Sequence, residues 1–497
     1  MKQADRCASG IPGLDEVLNG GLIAQRMYLL DGNPGAGKTT LALQFLLEGA
    51  RLGERCLYVT LSETALELRA VAASHGWSLD GVEIVELIVD EGALHGDAQL
   101  TMLHASEVEL TETTRKLINA LNELNPTRLV IDSLSELRLL SQSSLRYRRQ
   151  ILALKQLFLG RTCTVIMLDD RTAEGPDLQL HSIAHGVISL ESKTPAYGQT
   201  RRELQVRKFR ASSFVSGLHD FSIHRGGITI YPRLVAAEHV TQYQRALIAS
   251  GVGPLDSLMG GGIDRGTSTL LIGPPGSGKS TIAVQYAKAA VDRGDHAAVF
   301  MFDETKTALK TRCTGLGMSL KEGKGPGEIQ LRQIDPAEVS PGEFVSLVRR
   351  AVEENSAKVI VIDSLNGYLN SMPQDHFLTA QLHELLSYLN NRGIATFLVV
   401  AQAGLMGPSM TSPVEASYLA DAVIVLRYFE HSGNVKKAIS ALKKRTGGHE
   451  GAIREIWFDE NGIHLSAPLF NLRGVLTGVP VELGQLNGAG PVSAHRA

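Results

Sequence analysis

Two segments of this chain place glycines, a lysine and a hydroxyl residue in the same order. They read Gly32-Asn33-Pro34-Gly35-Ala36-Gly37-Lys38-Thr39-Thr40 and Gly273-Pro274-Pro275-Gly276-Ser277-Gly278-Lys279-Ser280-Thr281. The backbone N–H groups of such a loop bind phosphate oxygens, the lysine reaches the β- and γ-phosphates, and the Thr39 or Ser280 hydroxyl binds Mg²⁺. The loops lie 241 positions apart (273 − 32), each after an apolar strand and before a helical pattern. Chance turns do not explain that repetition, so the sequence predicts two sites for ATP with Mg²⁺.

Two aspartates follow apolar strands farther along the chain. Asp132 and Asp363 each end such a strand and precede the dipeptide Ser-Leu. A carboxylate at that point can hold Mg²⁺, directly or through water, at the edge of the sheet where the phosphates bind. The alternative is an aspartate that only caps the next helix. The phosphate loop upstream of each aspartate favours the metal role.

Acidic residues also stand at the end of the strand that follows each loop helix. Glu63 and Glu304 occupy this position, where a carboxylate can polarise a water or a hydroxyl for attack on the γ-phosphate. Asp303 precedes Glu304, whereas Ser62 precedes Glu63. The alternative role for either glutamate is to cap a helix.

Two pairs of cations lie about 170 residues after the loop lysines, at 208 − 38 = 170 and 443 − 279 = 164 positions. They are Lys208 with Arg210, and Lys443 with Arg445. In a strand, residues two apart point the same way. Each pair would therefore suit the γ-phosphate of a neighbouring subunit, in the manner of an arginine finger. The alternative is that they are solvated basic residues on an edge strand.

The duplication extends through most of the chain. The lead-in Gly10–Gly21 returns as Gly251–Gly262 at the same offset of 241, and Ile131-Asp132 returns as Ile362-Asp363 at 231. About ten extra residues in the first half are expected near positions 90–101. We therefore expect a first domain over residues 1–235, a second over 236–466, and a partly disordered tail over 467–497.

Within each half, short apolar runs alternate with segments of helical period. The predicted strands are Tyr28–Asp31, Leu57–Leu61, Leu129–Ile131, Thr164–Leu168, Thr269–Ile272, Val299–Phe302, Val359–Ile362 and Thr396–Ala401. The helices that follow the loops are predicted over Thr39–Gly49 and Ser280–Ala290. Such alternation is typical of α/β domains with a mostly parallel sheet flanked by helices, which bind ligands at the carboxyl edge of the sheet.

Composition limits the partners. The net charge is −3 and the isoelectric point about 6.6, so no global basic field favours nucleic acid, which is not expected as a partner. Four scattered cysteines without a C-x-x-C motif suit a reducing compartment. No signal peptide and no apolar run of about 18 residues is evident, so we expect a cytoplasmic chain that does not bind membranes.

Taken together, these motifs resemble the KaiC family of RecA-like ATPases. The resemblance covers residues 9 to about 483 and rests on the loops, the Glu-Thr strand ends, Ile-Asp-Ser-Leu twice and Lys-x-Arg twice. It implies two tandem RecA-like domains in a homohexameric double ring with ATP at subunit interfaces. The first domain of the family is an ATPase, and the second phosphorylates and dephosphorylates its own chain. The Lys-x-Arg pairs would then complete the neighbour's site.

The chain departs from the family at several positions, of which two bear on the candidate chemistry. The family usually has two adjacent acids where this chain has Ser62-Glu63. The phosphorylated Ser-Thr doublet of the family corresponds to Ser417-Tyr418, just ahead of the apolar run that starts at Ala422. The resemblance implies Ser417 as the phosphoacceptor, with Tyr418 second because its oxygen lies farther from the backbone. Ser417 could instead cap or pack at the strand entrance.

Three functions remain open from the sequence. The favoured one is an ATPase and serine/threonine autokinase that signals through its own phosphorylation state, with regulatory protein partners of unknown identity. A DNA-handling RecA-type motor needs basic loops with aromatic residues, and the best run, Arg146-Tyr147-Arg148-Arg149, suits a helix instead. A ring scaffold that binds ATP with negligible turnover is favoured by Ser62, in the first half alone.

Overall fold

The computed structural model describes residues 5–87, 102–141, 143–171, 178–370, 378–402, 419–477 and 480–482. The chain divides into two compact units, Met1–Arg233 and Leu234–Ala497. Each unit contains one nine-stranded sheet. Positions 90–101, where the sequence analysis expects the extra residues of the first half, fall outside the described residues.

The first unit alternates strands and helices along the chain. Its strands are β1 (Arg6–Cys7), β2 (Leu22–Ile23), β3 (Met27–Gly32), β4 (Cys56–Thr60), β5 (Val82–Glu86), β6 (Arg128–Asp132), β7 (Thr164–Asp170), β8 (Gly186–Lys193), β9 (Arg201–Phe209), β10 (Leu218–His224) and β11 (Gly227–Tyr231). Its helices are α1 (Leu14–Val17), α2 (Lys38–Arg51), α3 (Ala65–Ser74), α4 (Met102–Leu124), α5 (Leu134–Ser141), α6 (Ser144–Phe158) and α7 (Leu178–Ile183).

The second unit repeats this order. Its strands are β12 (Leu247–Ile248), β13 (Ile263–Asp264), β14 (Ser268–Gly273), β15 (His296–Met301), β16 (Ile329–Gln333), β17 (Ala357–Asp363), β18 (Ala395–Ala401), β19 (Ala422–His431), β20 (Asn434–Lys444), β21 (Ile453–Asp459), β22 (Gly462–Pro468), β23 (Leu472–Arg473) and β24 (Val481–Glu482). Its helices are α8 (Gly253–Leu258), α9 (Lys279–Asp292), α10 (Lys306–Gly315), α11 (Pro341–Glu353), α12 (Leu365–Asn370) and α13 (Leu378–Asn391), with 3₁₀ turns at Ala236–His239 and Val475–Thr477.

The two large sheets have the same topology. The first has the order β11-β10-β9-β8-β3-β7-β6-β4-β5, and the second β22-β21-β20-β19-β14-β18-β17-β15-β16. In each, the strand that leads to the phosphate loop lies between two parallel neighbours, and three antiparallel strands extend the β8 or β19 side. The α/β prediction of two tandem RecA-like domains is confirmed.

Both faces of each sheet are buried, which explains the near-continuous apolar strands. In the first unit, one face packs against α2 through Phe45, and the other packs against α4 and α6 through Leu121 and Ile151. The second unit has two such clusters around Tyr286 and Phe344. Full burial of a large apolar side chain contributes about 1.5–3 kcal/mol, so these clusters hold the strand ends in register.

Several element boundaries differ from the sequence analysis, and the differences near the candidate sites and at the tail matter most. Strands β4 and β15 end at Thr60 and Met301, so Glu63 and Glu304 lie in the turns that follow them rather than at the strand ends. Thr64 and Thr305 then cap α3 and α10, which accounts for the early strand ends. Strand β22 runs through Pro468, across the position where we expect the tail to begin. In the described part of the chain, no helix has both the length and the apolar character needed to cross a membrane.

Candidate nucleotide sites

Each phosphate loop joins a central strand to the first turn of a long helix. The first loop connects β3 to α2 and the second connects β14 to α9. Gly37 and Gly278 adopt φ of 102° and 106°, in the left-handed region that other residues rarely adopt. A Cβ atom would lie 2.6 Å from Ile223 Cδ1 at Gly37, and 2.1 Å from Phe458 Cζ at Gly278. The glycines therefore let the backbone turn tightly so that the helix N–H groups face a phosphate.

The two loop lysines are buried and satisfied by their own loops. Lys38 Nζ donates to the Gly32 and Asn33 carbonyls at 2.8 and 3.0 Å, and lies 2.6 Å from Asp170 Oδ1. Lys279 Nζ donates to the Pro274 carbonyl at 2.8 Å. Burial lowers the pKa of Lys279 to about 8, although the charge of Asp363 works in the opposite direction. A bound phosphate would replace these carbonyl contacts with charge-assisted ones.

Asp132 and Asp363 lie beside the loop hydroxyls. Thr39 Oγ1 lies 3.4 Å from Asp132 Oδ2, and Ser280 hydrogen-bonds the Asp363 side chain. Burial raises the pKa of both aspartates, and these hydrogen bonds oppose the shift. Hydroxyl and carboxylate oxygens are ligands that Mg²⁺ prefers, so the residues present fit the metal.

The sequence analysis missed one partner of Asp132. The hydroxyl of Tyr58, fully buried in β4, donates to Asp132 Oδ2 at 2.5 Å. Burial, followed by the charge of Asp132, raises the pKa of Tyr58 well above its ordinary value, so the phenol remains a donor. Val299 occupies the corresponding position of the second half at the 241 offset. That difference between aligned halves is the signal that could have identified Tyr58.

Glu63 has a buried carboxylate oxygen. Its Oε2 has no hydrogen-bond partner among the described residues. Burial and then the charge of Asp132 raise the pKa of Glu63. A carboxylate with a raised pKa and an unoccupied oxygen is suited to accept a proton from water.

The acids of the second half have partners. Glu304 forms an ion pair with Arg312, whose Nη2 lies 2.6 Å from Glu304 Oε2. Asp303 accepts a hydrogen bond from the hydroxyl of Ser364, the residue after Asp363. The sequence analysis did not identify Arg312, although Val71 at the corresponding first-half position marks the difference.

The Lys-x-Arg pairs lie away from their own phosphate loops. In the first sheet, Lys208 of β9 pairs with Val187 of β8, and Val187 pairs with Leu29 of β3. The phosphate loop begins at the other end of β3. Lys208 and Arg210 both donate to the Ser182 carbonyl, at 3.2 and 3.1 Å, so the two side chains do point the same way.

Lys443 and Arg445 occupy the corresponding position in the second sheet. Lys443 pairs with Val423, which is level with Leu270 in β14. Lys443 donates to the Ala420 carbonyl at 2.7 Å, and Arg445 lies 3.4 Å from Asp421. The cations therefore occupy the amino edge of each sheet, opposite the carboxyl edge that carries the loop of the same half.

The predicted phosphoacceptors and the basic run have different outcomes. Ser417 and Tyr418 lie outside the described residues. The basic run considered for DNA lies on α6, where Arg146, Arg148 and Arg149 are exposed but Tyr147 is buried. Tyr147 is therefore not available to stack on a base, as single-strand binding would require.

The sheet order, the phosphate loops and the aspartates at the strand ends define two RecA-like domains of the P-loop class. The family model described as the KaiC ATPase matches residues 7–235 and 248–469. The chain therefore belongs to the KaiC ATPase family, as the sequence motifs indicated.

Full-length relatives agree with this assignment. The circadian clock protein KaiC3 of Synechocystis sp. is 26% identical over 487 residues, which cover 97% of this chain and 95% of the relative. The circadian clock oscillator protein KaiC of Picosynechococcus sp. is 26% identical over 490 residues, covering 97% and 94%. KaiC of Thermostichus vulcanus is 24% identical over 480 residues, covering 95% and 91%.

Proposed function

We propose that both halves bind Mg-ATP and hydrolyse it, that the chain forms a homohexameric ring with ATP at subunit interfaces, and that the second half phosphorylates Ser417. The carrying observation is the recurrence, in both halves, of a loop lysine, a loop hydroxyl and an aspartate at one sheet edge. The names of the relatives support a role in a clock-like system, and the family resemblance supports signalling through phosphorylation, with regulatory protein partners still to be identified.

Each side chain has a role in binding and hydrolysis. Thr39 with Asp132, and Ser280 with Asp363, would hold Mg²⁺, which when bound neutralises charge on the β- and γ-phosphate oxygens. Lys38 or Lys279 turns from its loop carbonyls to the phosphates. In the first half, Glu63 accepts the proton of the attacking water.

Nucleotide counting on purified protein tests the binding step. Wild type should hold two nucleotides per chain in the presence of Mg²⁺, because each half has a loop lysine, a loop hydroxyl and an aspartate at one sheet edge. If two nucleotides bind but no phosphate is released, the chain would be an ATP-binding scaffold and not an ATPase.

The position of the cations supports assembly through ATP. Lys208 and Arg210 lie at the amino edge of the sheet, so they are too far from their own loop to contact its γ-phosphate. A neighbour's phosphate is the matching anion, and without it the cations of adjacent subunits would repel each other.

Light scattering with and without ATP tests the assembly. We expect small species to become a hexamer of about six times the 53.5 kDa chain when Mg-ATP is added. The double variant Lys208→Ala/Arg210→Ala should shift the ATP dependence of assembly, whereas Arg207→Ala on the same strand is the matched control. A stable hexamer without nucleotide at low protein concentration would contradict the proposal.

The autokinase part requires a separate experiment. Family resemblance supports Ser417 against the neighbour's second-half ATP, with Asp303 or Glu304 taking the hydroxyl proton. Wild type, Ser417→Ala and Asp303→Asn/Glu304→Gln should be incubated with Mg-ATP and compared by intact mass and phosphosite mapping. We expect one phosphate on wild type and none on either variant. If the Ser417→Ala variant still carries a phosphate, the acceptor is another residue, and Tyr418 and Ser412 are the next candidates.

A further inference from the structure

Arg312 links the second candidate base to the phosphate-loop helix. It lies on α10, and its Nη1 donates to Thr281 Oγ1 at 2.7 Å. Its Nε and Nη2 donate to Glu304 Oε1 and Oε2 at 3.3 and 2.6 Å. Thr281 is buried, follows Ser280 and belongs to α9. One guanidinium therefore holds Glu304 against the helix that receives the phosphates.

The first half lacks this link. At the offset of 241 positions, the counterpart of Arg312 is Val71, which packs against the apolar core. Thr40, the counterpart of Thr281, instead lies 3.4 Å from His75 Nε2. Glu63, the counterpart of Glu304, keeps a buried oxygen without a partner among the described residues. The two candidate bases thus differ in their surroundings although the backbone around them is duplicated.

Pairing with Arg312 should change what Glu304 can do. Both carboxylate oxygens accept hydrogen bonds from the guanidinium, so one acceptor site of each oxygen is occupied and the carboxylate is held toward Arg312 instead of being free to turn toward an attacking water. We propose that Arg312 is a positioning residue that restrains Glu304 and thereby slows ATP hydrolysis at the second site.

Removal of Arg312 should allow Glu304 to act as the base. With Arg312 removed, a water oxygen attacks the γ-phosphorus, the bond to the bridging oxygen of ADP breaks, and the water proton passes to the Glu304 carboxylate. This inference rests on the proposed function, because it requires ATP at the second site.

Steady-state phosphate release from full-length protein tests the restraint. The background is Glu63→Gln, which leaves the first loop intact and silences turnover there. Adding Arg312→Val, which introduces the residue of the first half, should accelerate phosphate release about tenfold. This gain is part of the roughly 10²–10⁴-fold that a well-placed general base contributes. Adding Glu304→Gln as well should abolish the gain, because the gain requires that carboxylate. Arg312→Lys retains one cation and should give a smaller gain.

The outcomes separate the two claims. An unchanged rate in Glu63→Gln/Arg312→Val would overturn the restraint, as would a gain that persists with Glu304→Gln. Nucleotide counting on the same samples decides whether the second site binds ATP at all, which is the proposed function. Thermal unfolding of each variant, together with that count, identifies loss of folding, and Arg312→Lys then supplies the deciding rate.

Discussion

The two halves have the same sheet order, but the residues around their active edges differ. In the first half, a buried oxygen of Glu63 has no hydrogen-bond partner among the described residues, burial raises the pKa of Glu63, and Asp170 forms an ion pair with the loop lysine. In the second half, Arg312 holds Glu304, and the register places Ala401 where the first half has Asp170. The duplicated backbone therefore supports different electrostatic arrangements at the two sites.

This comparison reverses an expectation based on residue types. Ser62 in place of a second acid favours weak hydrolysis by the first half, and the pair Asp303-Glu304 favours the second. The contacts favour the opposite order, because both oxygens of Glu304 accept hydrogen bonds from Arg312, whereas one oxygen of Glu63 has no partner in the described part of the chain. The environment of a carboxylate, rather than the number of carboxylates, should decide which half turns over ATP.

The largest expected effect comes from removing one loop lysine. Lys38→Ala should empty the first site and Lys279→Ala the second, because each lost charge-assisted phosphate contact costs about 1.5–3 kcal/mol. Counting bound nucleotide in each single variant measures this. Full occupancy in either variant would mean that the two sites are not built on these lysines.

Turnover should then separate the halves. Glu63→Gln should lower steady-state phosphate release by about 100-fold at the first site, as loss of a general base does. Glu304→Gln should change release by less than about twofold, since that carboxylate is already paired. A larger loss in Glu304→Gln than in Glu63→Gln would break the comparison.

The second site should also depend more strongly on pH. Lys279 has a pKa of about 8 in the folded chain instead of 10.5. Between pH 8 and pH 10.5 the unfolded state therefore binds more protons than the folded state. The stability of the nucleotide-free second half should then increase as pH rises. ATP needs the charged lysine, so its affinity should fall with pH, by about tenfold from pH 7 to pH 9. Equilibrium binding in Lys38→Ala measures this second site alone. Adding Lys279→Arg should flatten the dependence because arginine stays charged.

A smaller effect concerns the metal at the first site. Tyr58→Phe removes the donor to Asp132 and keeps the ring in the core. Because that hydrogen bond lowers the pKa of Asp132, its loss should raise the Mg²⁺ concentration for half-maximal turnover about threefold to tenfold, as a typical hydrogen bond contributes about 0.5–1.5 kcal/mol. The second site, with Val299, serves as the internal control and should not change.

The smallest effect should come from the acid beside Lys38. Asp170→Asn removes an anion that competes with phosphate for the lysine, so ATP should bind the first site about threefold to fivefold more tightly, in line with about 1 kcal/mol for a partly exposed pair. Equilibrium binding in Lys279→Ala measures this. Weaker binding would mean that Asp170 orients Lys38 rather than competing for it.

The sequence by itself predicted the features that depend on local order. A phosphate loop is a run of adjacent residues, so its glycines, lysine and hydroxyl are visible in the chain. The same holds for the apolar strands that end at Asp132 and Asp363, and the duplication made the α/β class evident. Glu63 and Glu304 fell three residues beyond the strands because Thr64 and Thr305 begin helices there.

Only the tertiary structure decided which side chains meet. Tyr58 and Asp132 lie 74 positions apart, and they come together because β4 and β6 are parallel neighbours. Lys38, the first residue of α2, meets Asp170 because β7 lies beside β3, the strand that leads into its loop. Such contacts depend on strand order and register, which no spacing along the chain specifies. The sequence therefore determined which segments have the residues of a nucleotide site, and the packing decided which of the nearby acids have partners.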